Sequence, residues 1–138
     1  IDPSDFKTSP KEELDFSRLK VVDRSDAPLS QWDFVEFETE TFPLVGENVT
    51  IFQHPLGKPR QFDMDAVLGQ FGRFLYYSTE TDYGSSGSAV LNKECKVIAL
   101  HHAGKTLQEG GYIINSKGER AGANCGVLFR DIFAFIGK

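Results

Sequence analysis

The chain has 138 residues, of which 40% are hydrophobic and 25% are charged, and its formal net charge at pH 7 is −5. This length fits one compact domain, or one and a half small ones, and excludes two large domains. No apolar run approaches the roughly 18 residues that a membrane-spanning helix needs, and the first residues lack the features of a signal peptide. Because the chain is acidic and its basic residues are scattered, a nucleic-acid partner is not expected. The composition therefore predicts a soluble protein that binds neither membranes nor nucleic acids.

The two cysteines, Cys95 and Cys125, are too few for a disulfide framework and lack the paired spacing of a zinc site. We interpret both as free thiols, and we expect neither a metal nor a cofactor. Unpaired thiols and the lack of a visible leader sequence favour a cytoplasmic location.

The first predicted element allows two interpretations. Ser9, followed by a proline and by Glu12, resembles a capping box, and local propensity then predicts a helix over residues 11–20. The spacing of Leu14 and Phe16 also fits a strand whose register shifts further along. The sequence leaves both alternatives open.

The next segment carries weaker signals. Residues 32–37 alternate only in part between apolar and polar side chains, and a connector between two packed units is expected near residues 38–46. We therefore divide the chain into residues 1–41 and residues 42–138. The first part is expected to contribute only two or three strands.

Short apolar runs divided by Gly, Pro, Asn and Asp follow, and many of them are rich in β-branched or aromatic residues, which favour strands. The runs are 49–52, 64–70, 73–78, 88–92, 96–101, 111–115 and 126–129. About six such strands would close into an antiparallel barrel, which has no unpaired edge. Residues 131–136 are apolar at helical spacing and predict a short C-terminal helix.

The strongest chemical signal is the segment 81–90, which reads TDYGSSGSAV. A nucleophilic hydroxyl needs a sharp, exposed turn, and nearby backbone N–H groups must converge on the oxygen that becomes negative. Gly84 and Gly87 permit such a turn. The alternative is a flexible Gly/Ser connector, which this composition alone would favour.

The residues around this segment decide between the two. Segment 84–92 reads GSSGSAVLN, and VIALHHAG follows four residues later at 97–104. Together they resemble the nucleophile segment and following strand of trypsin-like serine peptidases of the chymotrypsin fold, most closely the bacterial glutamyl-endopeptidase branch. The resemblance implies an all-β fold, with this chain holding the end of a first barrel and a complete six-stranded second barrel with a short C-terminal helix. It also implies a serine endopeptidase that works through an acyl-enzyme.

Carried over residue by residue, the resemblance makes Ser86 the nucleophile, with the N–H groups of Gly84 and Ser86 as the oxyanion hole. Residues 14–16 are similar to the segment that supplies the triad aspartate, so Asp15 is expected to orient the catalytic imidazole. The family's chain order is His, Asp, Ser, yet no histidine precedes Asp15. We expect the base on a segment or chain upstream of Ile1, and without it the serine should be inert.

The same resemblance places Thr81 and His101 in the pocket for the substrate side chain. Both could donate hydrogen bonds to a carboxylate, which predicts cleavage after Glu or Asp. If the acid of Glu80 entered this pocket, Lys or Arg would be favoured instead. The residues expected to pair with the substrate backbone as an added strand are His102, Ala103 and Gly104.

The histidines in the chain have other expected roles. His54 is interpreted as a loop histidine bonded to neighbouring backbone. His101 and His102 are adjacent on a predicted strand, so their side chains should face opposite ways, and a metal site that combines them with Cys95 is not expected.

A pseudoprotease is the functional alternative. Such a domain would keep the groove and hold a peptide or protein in it without cutting. The enzyme needs a peptide substrate together with the histidine-bearing N-terminal segment or chain, whereas the binder needs only its ligand.

Overall fold

The computed structural model describes residues 1–137, which form ten strands and one α-helix. The strands are β1 (Asp2–Thr8), β2 (Ser17–Lys20), β3 (Asn48–Gln53), β4 (Gln61–Phe71), β5 (Phe74–Tyr77), β6 (Ala89–Leu91), β7 (Val97–Lys105), β8 (Tyr112–Ile113), β9 (Arg120–Ala121) and β10 (Ala123–Leu128), and the helix is α1 (Phe129–Ile136). The prediction of an all-β chain with a short C-terminal helix is confirmed. Residues 1–137 contain no helix with the length and hydropathy that spanning a lipid bilayer requires.

Six strands close into an antiparallel barrel in the order β10-β5-β4-β3-β6-β7, which confirms the predicted six-stranded barrel. Strand β3 shows why the sequence closes this way, because Val49, Ile51 and Gln53 are buried while the residues between them are more exposed. This alternation gives the strand one face toward the barrel interior. The core cluster consists of Val49, Ile51, Val67, Leu75, Tyr77, Val90, Ile98, Ala99 and Leu128.

The sequence predicts a strand over the run 111–115, and only the two-residue strand β8 forms there. It pairs with β9, which the sequence did not reveal, in a separate two-stranded sheet outside the barrel. Gly111 has φ +55° and interrupts the run before β8. The ring of Tyr112 stacks on Tyr76 with ring centroids 5.3 Å apart, so this small sheet covers the outside of the barrel.

The helical alternative for residues 11–20 is wrong. Residues 11–14 form a turn, and β2 then pairs antiparallel with β1. Ser9 caps this turn, since its N–H donates to the Phe16 carbonyl at 3.0 Å and its Oγ accepts from the Leu14 N–H at 3.2 Å. Residues two apart point to different sides of a helix. Leu14 and Phe16 are both buried in one cluster with side chains of β10 and α1, and this packing overrides helix propensity.

The segment between β2 and β3 carries no regular strand within residues 21–47. The partial alternation of residues 32–37 yields only a bridge between Phe37 and Val97. Val97 N donates to the Glu36 carbonyl at 2.8 Å and thereby ties the segment to β7. The division of the chain between residues 41 and 42 stays a prediction.

Candidate active site

Ser86 lies in a tight turn within the connection between β5 and β6, residues 78–88. Within this turn the Ser85 N–H donates to the Asp82 carbonyl at 3.1 Å, and the Ser88 N–H donates to the Ser85 carbonyl at 3.1 Å. The side chain of Ser85 is fully buried, whereas Ser86 is exposed. The turn therefore leaves the side chain of Ser86 exposed.

Two further hydrogen bonds fix this turn on β7. Gly87 N donates to the His101 carbonyl, and His101 N donates to the Ser88 carbonyl, each at 2.8 Å. Ser86 Oγ itself donates to the His102 carbonyl at 3.4 Å. A segment tied to β7 by backbone hydrogen bonds is not the flexible connector that its composition alone would favour.

The two N–H groups expected to form the oxyanion hole are free. Neither the Gly84 N–H nor the Ser86 N–H has an acceptor among residues 1–137, although Tyr83 and Ser85 on either side of Gly84 donate within the turn. Gly84 has φ +94°, a conformation that glycine adopts without steric cost. Unpaired N–H groups beside an exposed serine can bind an oxygen that acquires negative charge.

Gly84→Ala is expected to lower turnover by about tenfold or more and to lower the free energy of unfolding by at least about 1 kcal/mol. A Cβ at this φ is strained, and it would lie 3.1 Å from the His54 carbonyl oxygen behind the turn. Gly118→Ala is the matched control, because Gly118 has φ +80° with open space around it. Urea unfolding and peptide turnover measure both effects. Full turnover by Gly84→Ala would contradict the assignment, and we expect Gly118→Ala to lose stability only.

Asp15 sits in the turn between β1 and β2 at φ +45°, a left-handed conformation that aspartate tolerates better than most residues. Its N–H donates to the Pro10 carbonyl at 3.0 Å. Leu14 and Phe16 on either side are buried, and they anchor the turn on β10 and α1. The sequence Leu-Asp-Phe thus presents a carboxylate from a loop with two apolar anchors, rather than from a strand.

This carboxylate meets a histidine that the sequence did not pair with it. Asp15 Oδ2 lies 2.8 Å from Nδ1 of His102. The distance is short, yet Nδ1 has no aligned hydrogen-bond partner among residues 1–137, so the carboxylate lies off the N–H direction. This is a close polar contact and not a hydrogen bond, because a hydrogen bond also requires the N–H to point toward its acceptor. Since Ser86 Oγ contacts the backbone of the same residue, the turn of Ser86 and the turn of Asp15 meet at His102.

Ser86 and Gly84 open on a cavity of about 820 Å³. All of the predicted substrate-binding residues line it, namely Thr81, His101, His102, Ala103 and Gly104. Asp15 does not line the cavity, but its carboxylate contacts His102, which does. Glu80 also lies outside the cavity lining; its side chain is exposed, and its N–H donates to Asp63 at 2.6 Å. Its acid therefore does not place a negative charge in the pocket.

His101 and His102 face opposite ways, as predicted. His101 is 4% exposed, and its Nδ1 lies 2.7 Å from the phenolic oxygen of Tyr77, which is fully buried in the barrel. Burial first, and the neighbouring His102 second, lower the pKa of His101 to about 4. Burial also raises the pKa of Tyr77 well above its ordinary value, so the phenol keeps its proton. The pocket histidine is therefore neutral at pH 7.

The lowered pKa of His101 predicts acid sensitivity. The unfolded chain binds a proton at this residue below about pH 6.5, while the folded chain does so only near pH 4, so the free energy of unfolding falls as the pH drops through this window. Between pH 7 and pH 4.5 we expect His101 to account for about 2 kcal/mol. Urea unfolding at both pH values measures this. His101→Gln keeps an acceptor for Tyr77 without titrating and should lose less stability; equal losses would contradict the prediction.

Asn124 completes the pocket, and the sequence did not indicate this role. Thr81 Oγ1 lies 2.7 Å from Asn124 Oδ1, and Asn124 Nδ2 bonds to the carbonyl of Thr79. A Cβ on Gly104 would lie 2.5 Å from Asn124 Oδ1, so only glycine leaves room for this side chain.

The remaining residues singled out from the sequence lie apart from the cavity. His54 Nδ1 lies 3.0 Å from the Lys58 carbonyl, which agrees with its interpretation as a loop histidine. Cys95 is exposed and Cys125 is buried, and both are free thiols, as predicted.

Comparison with known proteins gives three findings. The family model of the trypsin-like peptidase domain matches residues 4–100. The uncharacterized protein y4fB of Sinorhizobium fredii (strain NBRC 101917 / NGR234) is 33% identical over 118 residues, and the match covers 75% of this chain and 18% of that protein. The solved structure of a Glu endopeptidase in complex with MPD matches with a TM-score of 0.57 and 22% identity, over 80% of this chain and 49% of that chain. This chain thus spans 18% of the curated relative, and the structural likeness shows the fold.

Proposed function

This chain belongs to the trypsin-like peptidase family, and we propose that it carries the nucleophile of a serine endopeptidase that cleaves peptide bonds through an acyl-enzyme. The observation that carries the proposal is the turn at Ser86. Its hydroxyl is exposed, and the N–H groups of Gly84 and Ser86 are unpaired beside the cavity. These are the parts that acyl transfer needs from the nucleophile side.

The proposed reaction begins when Ser86 Oγ attacks the carbonyl carbon of the scissile bond. The carbonyl oxygen becomes an oxyanion, to which the N–H groups of Gly84 and Ser86 donate. A base takes the hydroxyl proton and returns it to the leaving amine as the C–N bond breaks. Water then attacks the ester with help from the same base, which releases the product acid and restores the hydroxyl.

We propose that the base is a histidine from a segment or chain beyond residues 1–138. Asp15 supports this role, because its Oδ1 has no partner among residues 1–137 and is free to accept an imidazole N–H. His102, which lies 2.8 Å from the other oxygen, would be a positioning residue that holds the carboxylate. An aspartate so held fixes the tautomer of the base and stabilises its charged form.

We propose that the substrate is a protein or peptide bound in extended form. Strand β6 pairs with β7 through Ala89↔Leu100, and the turn continues the pairing as far as His101. Residues 102–104 line the cavity beyond this point, which leaves an edge that an extended peptide can pair with. His101 and Thr81 lie beside this edge, and cleavage after Glu or Asp is the preference that their side-chain types predict.

The test uses the complete protein, including its histidine-bearing segment, with a mixture of peptides of diverse sequence. We expect cleavage at defined bonds by mass spectrometry, no cleavage by residues 1–138 alone, and recovery when the missing segment is added. A folded complete protein that leaves every peptide intact would overturn the proposal.

A pseudoprotease remains the second candidate, because one observation favours it. Among residues 1–137, the hydrogen-bond partner of Ser86 Oγ is a backbone carbonyl and not an imidazole. A binder would retain peptides uncut on the complete protein, with an affinity that Ser86→Ala leaves unchanged. An enzyme would instead turn them over.

A further inference from the structure

We propose that the pocket formed by Thr81, His101 and Asn124, here called the carboxamide pocket, binds an uncharged amide side chain. The peptidase would therefore cleave after glutamine in preference to glutamate. This inference rests on the proposed peptidase function and departs from the carboxylate preference that the residue types alone predict. It depends on which polar hydrogen atoms in the pocket already form hydrogen bonds with neighbouring side chains and are therefore not available to a ligand.

Tyr77 determines the tautomer of His101. The Tyr77 hydroxyl is fully buried, and His101 Nδ1, at 2.7 Å, is its only hydrogen-bond partner among residues 1–137. If Nδ1 carried a proton, the phenolic proton would have no acceptor in the core, which is costly. The phenol therefore donates to Nδ1, and the ring proton resides on Nε2.

Nε2 is the nitrogen available to a ligand. It has no hydrogen-bond partner among residues 1–137 and is not fully buried. Because His101 lines the cavity, Nε2 is accessible to a ligand there. The pocket therefore offers one N–H donor from this residue. Protonating His101 to bind a carboxylate would put a proton on Nδ1 and deprive the Tyr77 hydroxyl of its acceptor. The hydrogen bond from Tyr77 therefore disfavours the positively charged form of His101.

Thr81 offers a ligand a hydrogen-bond acceptor, whereas His101 offers a donor. The Thr79 carbonyl can only accept, so the Asn124 group bonded to it is the amide nitrogen, and Asn124 Oδ1 faces Thr81. Since that oxygen also only accepts, the Thr81 hydroxyl must donate to it at 2.7 Å. The Thr81 oxygen is left with lone pairs and serves a ligand as an acceptor.

One donor and one acceptor match a carboxamide. The glutamine side-chain oxygen would accept from His101 Nε2, and its NH₂ group would donate to Thr81 Oγ1. A glutamate carboxylate is acceptor-only, so one of its oxygens would face the Thr81 lone pairs without a proton between them. Polar groups that lose water on binding without gaining a matching partner lower the affinity.

The charges around the cavity do not favour an anion. Two carboxylates, Asp82 and Glu109, and one ammonium group, Lys105, belong to its lining. The Lys105 Nζ lies 5.2 Å from the centroid of the Tyr112 ring, in a cation–π contact. The lining therefore carries more negative than positive charge when His101 is neutral, which would repel a bound glutamate.

The test compares peptides that differ only in Gln, Glu or Asn before the scissile bond, with the complete protein. We expect kcat/KM for Gln to exceed that for Glu by about tenfold or more at pH 7. Tyr77→Phe should reduce this ratio, because Nδ1 is then free to carry a proton. Tyr76→Phe is the matched control, as Tyr76 is the neighbouring residue on β5 and its hydroxyl has no hydrogen-bond partner among residues 1–137. We expect this control to keep the ratio.

Two readouts separate failure of this inference from failure of the proposed function. Imidazole ¹⁵N NMR of this chain should show His101 neutral with its proton on Nε2 at pH 7, whether or not the protein is active. A charged ring or a proton on Nδ1 would overturn the inference. In a protein that hydrolyses peptides, equal or better use of Glu would also overturn it. If no peptide is cut, the affinities of the same peptides decide, and a tighter or equal Glu peptide counts against the carboxamide pocket.

Discussion

Replacing Ser86 with alanine is expected to abolish peptide hydrolysis by the complete protein, with a loss in kcat on the order of 10⁶. The substitution removes the oxygen proposed to form the ester, while the free N–H groups of the turn remain. Because Ser86 is exposed, the change should alter the free energy of unfolding by less than about 0.5 kcal/mol. Single-turnover kinetics and urea unfolding measure the two quantities.

Ser88→Ala is the matched control for this experiment. It removes the same type of hydroxyl two residues further on, where the Ser88 side chain has no hydrogen-bond partner among residues 1–137, and the Ser88 carbonyl can still accept from the His101 N–H. We expect near-normal turnover from this variant. Comparable activity of Ser86→Ala and Ser88→Ala would show that another group performs the attack.

Asp15→Asn should lower kcat by a factor on the order of 10⁴ and leave KM little changed. The mutation removes the charge that stabilises the protonated base, and the amide cannot accept as both carboxylate oxygens do. Asparagine tolerates the left-handed backbone at φ +45°, so the turn should keep its shape. Steady-state kinetics with a cleaved peptide provide the measurement.

Asp33→Asn controls for the loss of one negative charge, because Asp33 is exposed and has no ion-pair or hydrogen-bond partner among residues 1–137. It should retain full activity. If Asp15→Asn were as active as this control, Asp15 would have no part in orienting the base, and its contact with His102 would be only structural.

Much of the barrel could be predicted from the sequence because its signals are local. The apolar run 49–52, which contains three β-branched residues, lies within β3, and Gly72 sits at φ +60° in the turn that joins β4 to β5. The segment at 11–20 shows the limit of such signals. Ser9 and Glu12 make a good helix start, yet burial of Leu14 and Phe16 against distant strands decides the conformation. A capping pattern carries no information about that burial.

The site, like the fold, could be predicted from the sequence only in part. The turn of Ser86 could be found because its glycines and serines are contiguous, and the opposite directions of His101 and His102 follow from strand geometry. The positions of the hydrogen-bonding protons in the pocket could not be predicted from the sequence. They depend on Tyr77 and His101, which are 24 positions apart, and on Thr81 and Asn124, which are 43 apart. From residue type alone, Thr81 and His101 are both donors to a carboxylate. Which of them can still donate a hydrogen bond to a ligand depends on the hydrogen bonds that each already makes.

The proposed function requires that the hydroxyl of Ser86 is a nucleophile held beside two free N–H groups. The most direct measurement treats the folded complete protein with a fluorophosphonate and maps the modified residue by peptide mass spectrometry. We expect a single phosphonylated residue, Ser86, and no modification after the protein is unfolded in urea before treatment. A folded protein that stays unmodified, or one that is modified at another residue, would contradict the claim.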